Sequence, residues 1–217
     1  MAFRASLLNL VAAVATLALA IVFGSTLAAD TKALMNPEAL NERAPATFRV
    51  NFDTSAGSFV VEVHRDWAPF GADRFYNLVK AGFYDGNRFL WVNDIAVTFG
   101  VHGDPEIAKI WVGAKIPDDP TRVQSNKKGT VALSHANQRR TMTFINLVDN
   151  PTLDRQVTPF GQVVSGMSVV ERLYRGYGDG APTGKGPVMT PFYKEGNAYL
   201  EREFPKLDDI KTARIMP

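Results

Sequence analysis

From Thr47 the chain alternates apolar and polar side chains with period two: Thr47-Phe48-Arg49-Val50-Asn51-Phe52-Asp53-Thr54. Such alternation predicts a strand with one face buried. Ser55-Ala56-Gly57 is a turn, and the alternation resumes over residues 58–64, so residues 47–64 are expected to form a hairpin. The period then changes. Trp67-Ala68-Pro69 places proline near a helix start. Phe70, Phe75, Leu78, Val79 and Phe83 recur at helical spacing, and Gly82 marks the end. Short strands are predicted at residues 88–92, 95–100, 129–134, 142–147 and 160–165, and a second short helix over 167–174. Many short strands with polar turns and two helices predict a mainly β fold, a closed antiparallel barrel plugged by helices. No repeat of fixed period is present.

The first 28 residues follow another rule. Arg4 precedes an apolar run from Leu7 to Phe23, and Thr26-Leu27-Ala28 offers small residues at a cleavage site. That layout is a secretory signal. The run exceeds a usual signal core, so an uncleaved N-terminal anchor is the alternative. Either way the folded part is expected beyond the cytoplasmic membrane, periplasmic or anchored to its outer face. Membrane contact would be confined to this segment. Residues 29–45 are polar with two prolines and read as a linker; 46–175 form the barrel domain and 176–217 a C-terminal extension packed on it.

Composition narrows the function. Of 217 residues, 46% are hydrophobic and 21% charged, which excludes disorder for most of the chain. Cysteine is absent, which excludes a disulfide framework, a thiol nucleophile and any Cys-ligated metal. The 24 basic residues are nearly matched by 22 acidic ones, and no basic block stands out, so no nucleic-acid partner is expected. No GxGxxG, P-loop, HExxH or GxSxG is present, and no cofactor is implied. His102-Gly103-Asp104-Pro105-Glu106 holds three potential metal ligands, but Gly and Pro mark a turn, and no metal site is expected there. His64 and His135 have no legible carboxylate partner and read as surface or loop positions.

Several ordered segments resemble the cyclophilin-type peptidyl-prolyl isomerases. They are Gly57-Ser58-Phe59-Val60-Val61-Glu62-Val63, Ala68-Pro69 leading into Asp73-Arg74-Phe75-Tyr76-Asn77-Leu78-Val79, and Gly82-Phe83-Tyr84-Asp85-Gly86-Asn87-Arg88-Phe89. Gly129-Thr130-Val131-Ala132-Leu133-Ser134, Phe144-Ile145-Asn146, Leu153-Asp154 and the run 159–170 continue the match. The stretches 174–182 and 201–208 resemble an extension carried by secreted bacterial-type members. The resemblance covers about residues 47–215. It implies an eight-stranded antiparallel barrel closed by two helices, a substrate groove on the outer face, and proline-containing polypeptides as partners of a monomeric protein.

Turning a prolyl bond means crossing a barrier of about 18–20 kcal/mol set by amide resonance, and takes tens to hundreds of seconds uncatalysed. No covalent step is needed. The ring must be held in an apolar pocket, and the twisted amide, whose nitrogen has become basic, must meet a fixed cation or strong donor. The resemblance assigns that role to an arginine on the strand after the first helix, with a glutamine nearby.

At those positions this chain departs from the family. Trp91 stands at the arginine and Thr98 at the glutamine; the intervening Pro-Gly turn is missing. Ile95 falls at a pocket phenylalanine, beside Ala96. Ala136 and Asn137 match the groove-lining stretch, but the run after them is shortened to Gln138-Arg139-Arg140. Met142 replaces another glutamine, Thr152 a tryptophan and Val157 a histidine, while Phe144 and Leu153 are kept. The expected site is therefore Trp91, Thr98 and Phe144 at the reacting bond, with Ile95, Ala96, Ala136, Asn137, Met142, Leu153 and Val157 binding substrate. Trp91 can stack on a proline ring or fill the barrel as a strand aromatic. Arg139 and Arg140 can reach the groove as substitute cations or lie solvated. The expected function is an isomerase acting on exported proteins with weak turnover. The alternative is a non-catalytic module that binds proline-containing segments, and a third reading gives the tail a packing or docking role.

Overall fold

The computed structural model describes residues 31–134 and 141–217. Residues 1–30, with the expected export segment, and residues 135–140, with His135, Ala136, Asn137, Arg139 and Arg140, lie outside the described residues. The alternation at the start of the domain does form a hairpin, β1 (Thr47–Thr54) and β2 (Gly57–His64), paired from Thr47↔His64 to Thr54↔Gly57. Phe48, Val50, Phe52, Phe59, Val61 and Val63 point inward and are buried. Helix α1 (Pro69–Lys80) follows. Ala68 offers no side-chain cap, so the carboxylate of Asp119 accepts the first free N–H groups, from Phe70 at 2.7 Å and Gly71 at 2.9 Å.

Strands β3 (Trp91–Val92), β4 (Ala96–Phe99), β5 (Thr130–Leu133), β6 (Thr143–Asn146) and β7 (Gly161–Ser165) come next, with helix α2 (Pro105–Val112) between β4 and β5. Helices α3 (Met167–Glu171), α4 (Met189–Glu195) and α5 (Asn197–Glu203) precede the last strand, β8 (Ile210–Ile215). All pairs are antiparallel, in the order β3-β4-β6-β5-β7-β2-β1-β8. The sheet curls rather than closing through a continuous ladder. Its ends meet at the isolated bridge Arg88↔Asp209, helped by Phe89 N–H to Asp208 O at 3.0 Å and Ile210 N–H to Asn87 O at 2.8 Å. Phe52 sits inside the curl, stacked on Phe59 at 4.8 Å and touched edge-on by Phe99 at 5.8 Å. Such pairs add about 0.5–1.5 kcal/mol each beyond the area they bury.

Four features differ from the sequence reading. The predicted strand over 88–92 shrinks to Trp91–Val92, because Arg88 and Phe89 spend their backbone groups on the tail. The helix predicted over 167–174 ends at Glu171, where Tyr174 N–H turns instead to Asp208 Oδ2 at 2.7 Å. The turn seen at 102–106 opens a helix: Asp104 is the N-cap of α2 and accepts Glu106 N–H at 2.8 Å, with Pro105 in its first turn. His102 there accepts the Asp104 N–H on Nδ1, and burial holds its pKa below the usual range. Finally, the tail supplies a strand of the sheet as well as two helices.

The segment read as a linker is packed from residue 31 onward. It opens with a helical turn, Thr31–Leu34, and a 3-10 turn, Pro37–Ala39, and Leu34 and Ala44 are buried. Trp111 Nε1 donates to Leu34 O at 2.8 Å, and Asn77 exchanges two hydrogen bonds with the Glu42 backbone. Arg74 lies over the Trp111 ring, 5.0 Å from its centroid, and burial lowers its guanidinium pKa to about 10. Trp111→Phe leaves a buried carbonyl without its donor and is expected to lower the unfolding free energy by about 1–3 kcal/mol in urea denaturation. A wild-type midpoint would return residues 31–45 to the status of a linker.

Candidate proline-binding site

The period-two alternation that buries Val92, Val97, Phe99, Val131, Leu133 and Ile145 in the curl sends their neighbours to the outer face. Register then aligns one side chain from each of four strands: Trp91 faces Thr98, Thr98 faces Phe144, and Phe144 faces Ala132. Trp91, Thr98 and Phe144 are thus brought together in one cross-strand row, although 53 residues (91 to 144) separate its ends in sequence.

The Phe144 end of this row is an apolar group of its own. Ala132, Phe144 and Val157 are buried, with Phe144 9% exposed, and Ala96 and Leu153 pack on them half-buried. Ala96 lies two residues from Thr98 on the same face. Leu153 comes from a 3-10 turn (Pro151–Arg155), and Val157 follows it. Asp154 in that turn faces away, toward Ser125 and Asn126. Burial opposes its charge, but hydrogen bonds from the Asn126 backbone, the Asn126 amide and the Ser125 hydroxyl outweigh it and hold the carboxyl below its usual range.

The Trp91 end belongs to the tail. Its indole is neither inside the curl of the sheet, where Val92 points, nor packed with Phe144. Nε1 donates to Pro187 O at 3.0 Å. Two glycines lie against the ring: a Cβ on Gly180 would sit 3.0 Å from Nε1, and one on Gly186 3.1 Å from Cδ1. Residues 176–188, which carry both glycines and Pro187, form a strap that bridges Val92↔Gly178 and accepts the Asn93 amide on Asp179 Oδ1 at 2.8 Å. Met142 also departs from expectation. It is buried with Leu90 and Val101 beneath Phe192 and Leu200 of α4 and α5, outside the Phe144 group. Ile95 is 50% exposed and stands outside that group too, in a tight loop where Asn93 Oδ1 accepts the N–H of Ile95 and of Ala96. Ala132, which the sequence analysis does not single out as a site residue, completes this apolar group. Its signal was its place opposite Phe144, which requires the register.

Comparison with known proteins gives a consistent family. Residues 49–190 match the family described as cyclophilin type peptidyl-prolyl cis-trans isomerase/CLD. The chain is 33% identical over 132 residues to peptidyl-prolyl cis-trans isomerase ppi1 of Schizosaccharomyces pombe, covering 57% of this chain and 83% of that one. It is 28% identical over 142 residues to a peptidyl-prolyl cis-trans isomerase of Acinetobacter baylyi, covering 62% and 76%. The fold is similar to that of a Cryptosporidium parvum cyclophilin type peptidyl-prolyl cis-trans isomerase, with TM-score 0.58 at 16% identity over 79% of this chain and 98% of that one.

Proposed function

This chain belongs to the cyclophilin-type peptidyl-prolyl cis-trans isomerase family, and on that premise we propose that it captures proline-containing segments at the Phe144 pocket and turns them over weakly. The observation that carries this reading is the split of the cross-strand row. At one end, Ala96, Ala132, Phe144, Leu153 and Val157 offer an apolar seat for a pyrrolidine ring. At the other, the position that the family resemblance gives to a cation holds an indole whose single donor is spent on Pro187 O. Binding of the ring therefore has its machinery, while stabilisation of a pyramidal amide nitrogen lacks the charge that would lower the barrier. Thr98 supplies only a hydroxyl where the family has an amide.

The clients we propose are exported polypeptides, met in the periplasm or at the outer face of the cytoplasmic membrane. The apolar run of residues 7–23 behind Arg4 supports that location. A non-catalytic binding module is the limiting form of the same proposal, reached when turnover is zero. Refolding assays separate the forms. A weak isomerase gives a small, dose-dependent acceleration of a proline-limited refolding phase and leaves a proline-independent one unchanged. A pure binding module slows the proline-limited phase or leaves it alone. Acceleration typical of arginine-bearing family members would overturn the reading.

A further inference from the structure

Resting on the proline-capture reading, we infer that Asp154 is a positioning residue: through Asn126 its carboxylate fixes the segment that carries Leu153 and Val157 over Phe144. Asp154 Oδ1 accepts both the Asn126 backbone N–H at 2.8 Å and the Asn126 side-chain amide at 2.9 Å, and Oδ2 accepts the Ser125 hydroxyl at 2.7 Å. Asn126 is fully buried and spends its remaining groups on the same wall of the pocket. Its Nδ2 also donates to Val157 O at 3.0 Å, and its backbone O accepts Asn150 N–H at 2.7 Å, just ahead of the 3-10 turn. Its Oδ1 accepts from Asn146 Nδ2 at 3.3 Å, and Asn146 is paired with Ala96 across the β4–β6 ladder.

One polar chain, Asp154–Asn126–Asn146, thus ties the turn bearing Leu153, the backbone of Val157 and the strand partner of Ala96 to a common point. None of its side chains belongs to the apolar group. Three charge-assisted or buried hydrogen bonds converging on one carboxylate hold geometry better than the apolar contacts alone, which are non-directional. A seat shaped by Leu153 and Val157 then has its affinity set by a group that never touches the ligand.

The experiment is a calorimetric titration of the full-length protein with the probe peptide acetyl-Ala-Ala-Pro-Ala-amide, alongside thermal melts. Three variants are compared: Asp154→Ala, Asp154→Asn and Phe144→Ala. Asp154→Ala is expected to raise Kd about tenfold at a temperature where the melt shows it folded, in line with the cost of displacing a binding group by a fraction of an ångström. Asp154→Asn keeps an oxygen for both Asn126 donors, and the Ser125 hydroxyl can turn to accept, so its Kd is expected within about threefold of wild type. That rescue separates positioning from general stability. A wild-type Kd for Asp154→Ala, with Phe144→Ala weakened, would overturn this inference alone. A Phe144→Ala Kd equal to wild type, or no wild-type binding, would overturn the pocket reading and this inference with it.

Discussion

In a peptide isomerisation assay the protein is expected to show kcat/KM about 10²–10³-fold below that of a family member keeping the arginine, the usual cost of removing one preorganised donor. Trp91→Arg is expected not to restore it, leaving kcat/KM within about tenfold of wild type. The reason is local. A guanidinium at position 91 would enter the space bounded by Pro187 O, 3.0 Å from the present ring nitrogen, and by Gly180 and Gly186, where an added Cβ would already sit 3.0 and 3.1 Å from the ring. Its donors would turn to Pro187 O and to the Asp179 backbone oxygen, which faces Gly186. The apolar group proposed to seat the proline ring lies at the far end of the row, beyond Thr98. An increase of a hundredfold or more in Trp91→Arg would show that the charge alone was missing and would sink the account of the strap.

How much of this was legible from residues depends on how far apart the interacting partners lie. The hairpin needs only a period of two and a two-residue turn, both local, and its register runs unbroken from Thr47↔His64 to Thr54↔Gly57. Phe144 and Leu153 were legible through family resemblance, and the fold brings them together. Trp91 was not legible. Its hydrogen-bond partner lies 96 residues away, and a tail rich in glycine and proline carries no periodicity to announce a docking site. Met142 was misplaced for the same reason, since the helices that bury it are 7 residues each and come after the same strap. Strand β8 escaped because its buried positions, Ile210 and Ala213, are three apart; a register shift at Asp53/Thr54 absorbs the mismatch with β1. The start of α2 shows the reverse ambiguity: Asp104-Pro105 serves a turn and a helix N-terminus equally well, and only the residues after it decide.

If Trp91 is the anchor of the strap, then the strap's glycines are as necessary as the indole. Gly186→Val is expected to destabilise the fold by about 1–3 kcal/mol, the ordinary cost of overpacking a filled site. That corresponds to a drop of roughly 2–4 °C in Tm per kcal/mol for a chain of this size. Its Cβ would lie 2.9 Å from Asp179 O and 3.1 Å from Gly178 O, and both are backbone atoms that cannot rotate aside. Gly113→Val makes the control for added volume: its φ is −82° and the nearest atom to a new Cβ is 3.7 Å away. Little steric cost is expected there. Release of the strap should open 176–188 to limited proteolysis. The Kd for the proline peptide should stay within about twofold of wild type, because the Phe144 group shares no residue with the cluster that includes Trp91. A stable Gly186→Val protein that resists protease would show that the strap tolerates a side chain against the indole and that its glycines are not required. A large change in Kd would show instead that strap and pocket form one site, and the division of the row into a binding end and a sealed end would have to be abandoned.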